Sequence, residues 1–462
     1  MEEKKMTDPN VYEKKTVFEA AGNEIVEKAY DYAKGYVKFL DGAKTEREAV
    51  ELGVQMAEAA GYRAYHLGDK LAVGDKCYYN NRGKSLFVFR IGSEPINRGV
   101  RITCAHIDSP RLDLKQNPLF EAADLGYLKT HYYGGIRKYQ WLAMPLALHG
   151  VVVKEDGEVV NVTVGEDEND PVMYITDLLP HLAAAENAKP VGSAFQAEKL
   201  NVLVGSRPIE DGDKDAVKAN VLAYLNGKYG ITEADFQSAE LCIVPAGRAR
   251  DVGFDRSMIC GYGHDDRCCA YPSLTAMLDA DESVHTTMCI LADKEETGSD
   301  GVSGMQCSLI VDLLDEFARE LGGNAAAIRA SSICLSSDVA AAYDPAFDEV
   351  YEKRNAALIN CGVAMCKFTG ARGKSGTSDA SAELVGLVRR FLNRAGVVWQ
   401  TCELGKTDIG GGGTIAKYMA NHNIDTIDLG VPVLSMHAPY EVIAKTDLYE
   451  AYRAFVAFYR FA

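Results

Sequence analysis

Apolar runs in this chain repeatedly stop on a histidine or a carboxylate. Thr286–Ala292 reads as a buried strand and is followed at once by Asp293-Lys294-Glu295-Glu296-Thr297-Gly298. Val100-Arg101-Ile102-Thr103-Cys104-Ala105 ends on His106, with Asp108 just beyond it. Ile333-Cys334-Leu335 leads into Ser336-Ser337-Asp338, and the run through Val433-Leu434 leads into Ser435-Met436-His437. Ligands of open α/β sheets sit outside the carboxyl ends of strands. A chain punctuated in this way is expected to fold as an α/β domain with its chemistry along one sheet edge.

At 462 residues the chain exceeds one ordinary core, so two domains are expected. Its net charge of −17 argues against a nucleic-acid partner, because phosphates would be repelled. No apolar stretch is long enough to span a bilayer, so no membrane role is expected. Met1-Glu2-Glu3-Lys4-Lys5 is charged and no apolar signal core follows, which makes the cytoplasm the expected location. The twelve cysteines show no paired C-x-x-C spacing and read as reduced core residues rather than zinc thiolates or disulfides.

Along the chain, residues 17–43 and 46–60 carry helical spacing, and residues 85–91 and 100–106 read as strands. The character changes after Pro110. Residues 150–154 and 159–164 form an expected hairpin about Asp156-Gly157, and helices are expected near 174–185 and 216–229. The α/β rhythm returns from Gly253, with strands expected at 284–292, 330–336, 356–367, 397–402 and 425–429. Helices are expected at 303–321, 378–395, 414–421 and 446–461. The expected fold class is therefore α/β, with a mixed central sheet flanked by helices. The catalytic domain, residues 1–109 and 253–462, is interrupted by a β-rich insert at 110–252.

Each chemical motif is weak alone. His106-Ile107-Asp108 puts two side chains on one face, so Asp108 can accept from one ring nitrogen and leave the other for a metal. Asp265 and Asp266, before an apolar helical pattern, offer a carboxylate able to bridge two cations, with Arg267 to orient it. A capped helix with a surface ion pair is the simpler reading there. Together, His106, Asp265, Glu296, Asp338 and His437 make a nitrogen and oxygen donor set without thiolate, which suits zinc, manganese or cobalt. Three carboxylates against two divalent cations leave one positive charge for a bridging hydroxide, the nucleophile of a two-metal hydrolase. Glu295 beside the set would be its general base.

The ordered motifs H-x-D, D-D-R, E-E, S-D and M-H resemble the M18 metalloaminopeptidases, the aspartyl aminopeptidase family, over nearly the whole chain. Thr103-Cys104-Ala105-His106-Ile107-Asp108-Ser109-Pro110 and Met436-His437 are the most specific pieces. The resemblance implies a zinc-exopeptidase-like catalytic domain with a β-rich dimerisation insert, and dimers that build a tetrahedral dodecamer. It implies one metal on His106, Asp265 and Asp338, and a second on Asp265, Glu296 and His437, with Glu295 as base and Asp108 behind His106. It implies that His181, in Pro180-His181-Leu182, completes a neighbouring subunit's site. Peptides with a free N-terminus are then the substrates. An acidic N-terminal residue would need a basic partner, which Arg372 and Lys374 offer, although a solvated basic loop is the simpler reading. The backbone about Gly411, in Gly410-Gly411-Gly412-Gly413, could line the substrate site. A related deacylase or carboxypeptidase, and an inactive binding relative, are the other readings.

Overall fold

The computed structural model of the chain describes residues 10–280 and 283–461. The charged run Met1–Lys5 lies outside the described residues. A nine-stranded mixed sheet forms the centre. In order across the sheet, its strands are Arg63–Ala64, Lys76–Asn81, Ser85–Arg90, Thr286–Ala292, Val100–His106, Ile333–Ser336, Asp425–Gly430, Val363–Cys366 and Trp399–Cys402. The expected α/β class with a mixed central sheet is the class observed.

Strand periodicity sorts the core into two layers. Leu86, Val88, Cys289 and Leu291 pack on one face, under helices that include His264–Leu278 and Lys445–Arg460. Phe87, Phe89, Met288 and Ile290 pack on the other, under Leu309–Leu321. Both faces are covered, which is why the central strands are nearly uninterrupted apolar runs.

The strand Val100–His106 runs parallel to both of its neighbours, with Ala292 opposite His106 and Ser336 opposite Cys104. Asp425–Gly430 continues the parallel set, with Asp428 opposite Ser336. The carboxyl ends that carry His106, the Glu295–Glu296 turn and Asp338 therefore share one edge.

All strands of a second, seven-stranded sheet lie between Arg111 and Pro245. Two of its long strands, Arg111–Ala122 and Leu125–Tyr133, form a hairpin. Pairing of Ala239–Pro245 with Pro145–Val153 as well as with Arg111–Ala122 curls the sheet back on itself like a barrel. A third sheet of short strands joins Met258–Gly261 to Glu441–Ala444, with Gly261 opposite Glu441. That pairing brings the Asp265 and His437 segments side by side.

Several expected elements differ. Residues 17–43 form two helices, Val17–Ala20 and Asn23–Gly42, because Gly22 is extended and caps the second. The helix expected near 174–185 shrinks to Ala184–Asn187, since Pro180 disfavours helical backbone before it. The strand expected at 356–367 is only Val363–Cys366; Asn360 at φ 64° and Gly362 at φ 81° break what precedes it. The helix expected from 303 starts at Leu309, after turns at Gly301 and Gly304.

Candidate metal centre

The two carboxylate oxygens of Asp265 are divided between two histidines. Oδ1 lies 3.1 Å from His106 Nε2, and Oδ2 lies 3.3 Å from His437 Nε2. His106 Nε2 is also 3.9 Å from Asp338 Oδ1, and His437 Nε2 is 3.6 Å from Glu296 Oε1. One donor atom from each of His106, Asp265 and Asp338 falls within 4.8 Å of the others, and the same holds for Asp265, Glu296 and His437. Glu295 Oε2 stands 4.0 Å from His106 Nε2.

Both imidazoles are oriented alike. His106 Nδ1 donates to the Asp108 carbonyl at 3.0 Å, and His437 Nδ1 donates to the Gly135 carbonyl at 2.8 Å. With that proton fixed on Nδ1, each Nε2 faces the cluster and is the nitrogen that a cation would take. The Asp108 side chain works on another segment. Its Oδ1 accepts the Glu295 N–H and its Oδ2 the Glu296 N–H, each at 3.2 Å, while Tyr133 Oη donates to Oδ2 at 2.7 Å. Asp108 Oδ1 is also 3.3 Å from His106 Nδ1.

Burial and crowding dominate the electrostatics. Burial pushes Glu295 up to about 7, with Asp108 and Asp265 adding to the rise. Burial also lifts Glu296 and Asp338 well above the usual carboxylate range. Burial works against a charged His437, yet Asp265 and Glu296 outweigh it and raise the ring to about 10. Burial likewise opposes ionised Asp265, but His106 and His437 hold it well below its ordinary value. The side-chain atoms Asp265 Oδ1 and Glu296 Oε1 are buried with no hydrogen-bond partner. Orphaned carboxylate oxygens facing ring nitrogens that hold protons only against burial fit divalent cations, which would take the place of those protons and restore the ionised carboxylates.

The cluster opens into a cavity of about 620 Å³. Gly411 lines it, together with Arg137, Ala364, Cys366, Cys402 and Glu403. Arg372 and Lys374 line an adjoining recess of about 430 Å³ instead. There Lys374 Nζ pairs with Asp379 at 3.0 Å and sits 4.0 Å from the centre of the Phe368 ring. His181 lies on an exposed turn and does not line the cavity of its own chain. Asp266 and Arg267 are buried, so the surface ion-pair reading does not hold. Arg267 donates to the Lys44 carbonyl, and Asp266 accepts the His106 N–H. The Asp265–Asp266 peptide is cis.

Sequence reading missed Glu441, Tyr133 and Gly135. Glu441 is 1% exposed, and its two oxygens accept the Asp265 N–H at 2.9 Å and the His437 N–H at 2.7 Å. Its spacing of four from His437 was the only available signal.

The family model described as aminopeptidase I zinc metalloprotease (M18) matches residues 39–459. The chain belongs to the M18 family. A probable M18 family aminopeptidase 1 of Clostridium acetobutylicum is 51% identical over 432 residues, covering 92% of this chain and 93% of its own. The crystal structure of an M18 aminopeptidase from Thermotoga maritima superposes with a TM-score of 0.93 at 41% identity, covering 97% of this chain and 100% of its own. The yeast mApe1 dodecamer shares the fold at a TM-score of 0.77 and 21% identity, covering 95% of this chain and 98% of its own. As an M18 member the chain is a zinc aminopeptidase, a hydrolase. Among the described residues no helix is long and apolar enough to cross a membrane.

Proposed function

We propose that this M18 enzyme removes the N-terminal residue of peptides at a site for two divalent cations, zinc by family with cobalt or manganese compatible. His106, Asp265 and Asp338 would hold one cation, and Asp265, Glu296 and His437 the other. The observation that carries this reading is the division of the Asp265 oxygens between the two histidines. When bound, such a pair polarises a carbonyl and lowers the pKa of water towards neutrality.

Glu295 stands beside the ligands without being one of them, its Oε2 4.0 Å from His106 Nε2, which puts it within reach of a water held there, as a general base must be. It would take the proton of the attacking water and return it to the leaving amine. Asp108 keeps Glu295 in place through the backbone. A deacylase or carboxypeptidase would share this donor chemistry; family membership favours the free-amine substrate.

The wall beyond the cluster supports neutral N-terminal residues over acidic ones. It presents Ala364, Cys366 and Cys402, and Glu403 would repel an acidic side chain. Arg137 is the lining residue that an acidic side chain would have to use, since Arg372 and Lys374 face the neighbouring recess.

In this reading residues 110–252 form a separate domain that pairs subunits, and dimers build a tetrahedral dodecamer. Exposed Leu178, Leu179 and Leu182 around His181 supply an apolar surface for a second copy. His181 would then reach the partner's site and stabilise the developing oxyanion. Free cysteines throughout the described chain suit a reducing compartment such as the cytoplasm.

Glu295→Gln tests the mechanism. It should lower kcat by about 10²–10⁴, the usual span for a general base, while the bound-metal count stays at two per chain. Wild-type turnover by this variant would remove Glu295 from the role.

A further inference from the structure

The hairpin Arg111–Ala122 and Leu125–Tyr133 belongs to the second sheet, yet its end reaches the ligand cluster of the same chain. Consecutive residues there meet three different parts of the cluster. Tyr133 Oη donates to Asp108 Oδ2 at 2.7 Å. Gly134, at φ 73°, lies so close to Glu296 that a Cβ on it would stand 3.1 Å from Oε2 and 3.2 Å from the Glu296 Cβ. The Gly135 carbonyl accepts His437 Nδ1–H at 2.8 Å, and a Cβ on Gly135 would stand 3.2 Å from that nitrogen.

We propose that Tyr133, Gly134 and Gly135 are positioning residues for the metal centre, a clamp supplied by the second sheet in cis. The inference rests on the two-cation reading above. Tyr133 fixes Asp108, whose oxygens accept the Glu295 and Glu296 amides. Gly135 fixes the tautomer and the ring plane of His437, and so the direction of Nε2. Gly134 supplies both the positive φ and the missing side chain that let the backbone reach Glu296. The clamp is itself held from behind. The Arg111 guanidinium lies 4.2 Å from the centre of the Tyr133 ring, and Arg111 Nη1 donates to Glu46 Oε2 at 2.7 Å. Glu46 begins the helix Glu46–Ala59, which packs on the central sheet. The second sheet is thus part of the active centre, beyond any role in pairing subunits.

The test uses the full-length enzyme, stripped of metal and titrated with Co²⁺. Tyr133→Phe removes only the hydroxyl, and Gly135→Ala adds only a methyl against His437. Tyr132→Phe, on the exposed neighbour, is the control. Calorimetry, the visible cobalt spectrum, kcat and KM are measured for each. Both clamp variants should bind cobalt about tenfold or more weakly, as loss of an outer hydrogen bond to a ligand usually does. Their cobalt bands should shift and kcat should fall at constant KM, while Tyr132→Phe matches wild type. Wild-type affinity and spectrum in both clamp variants would overturn the proposal, even if their melting temperatures fell, because the residues would then serve packing alone. Fewer than two cobalt ions in the wild-type enzyme would overturn the two-cation reading and this inference with it.

Discussion

Glu441 accepts the backbone N–H of His437 at 2.7 Å and so secures a residue held at φ 65°. Left-handed backbone is unfavourable for a histidine and persists where the surroundings impose it. The other oxygen of Glu441 takes the Asp265 N–H, so one carboxylate sets two of the proposed ligands.

Glu441→Gln should expose that dependence. The amide group of glutamine turns a donor towards one of these N–H groups and leaves it buried without an acceptor. A loss of about 1–3 kcal/mol in stability is expected, with weaker metal binding. Urea unfolding and metal titration check it, and unchanged values in both would show that the contact is incidental.

The metal-free protein should lose stability as pH rises from about 5 to about 8. Glu295 and Glu441 go from an ordinary 4.5 to about 7 and about 8, chiefly through burial. Carboxyls raised in this way bind more protons folded than unfolded, so stability drops as pH climbs between the two values. His437, lifted from 6.5 to about 10 against its burial, stabilises fully below 6.5 and loses that contribution as pH passes 10. Both effects run in the same direction. Zinc should therefore raise the melting temperature more at about pH 8 than at about pH 5.5. Thermal melts with and without chelator decide it; an equal rise at both would contradict the assignment.

Glu46 is 4% exposed and pairs with Arg111 at 2.7 Å and Lys84 at 3.6 Å. Glu46→Gln should cost about 3 kcal/mol, the low end for breaking a buried pair, because Arg111 keeps Asp113. Equilibrium unfolding measures this directly. A cost below about 1 kcal/mol would mean that the pair behaves like an exposed one.

Leucyl substrates should be cleaved faster than glutamyl ones. One unfavourable charge contact on the order of 1 kcal/mol or more separates kcat/KM by about fivefold or more. Glu403→Gln should narrow the gap. A glutamyl preference in the wild type would point to Arg137 as the reading residue.

Much of this site was legible because strand ends are written plainly. Val100–His106 was placed to the residue, since an apolar run closing on His-Ile-Asp has few other uses. The Glu295–Glu296 turn followed from the same pattern. Glu441 stayed hidden because a glutamate after Ala438-Pro439-Tyr440 looks like a solvated turn residue. Only the pairing of short strands 180 residues apart in the chain reveals it as buried, and strands of three or four residues carry little periodicity. Arg372 and Lys374 suggested a substrate contact by charge alone. The partner that occupies Lys374, Asp379, becomes visible only once the loop closes.

The proposed ligands are drawn from His106 to His437, with the whole barrel-like sheet threaded between the first and the second. Their assembly has a timetable. On the ribosome, His106 emerges early and waits for Asp265 and Asp338, and the second set of ligands is completed only by the segment from Met436 to Glu441. The second cation then has its full ligand set only after His437 is made. A polypeptide truncated before His437 would carry most of the sheet and still hold at most one of the two cations.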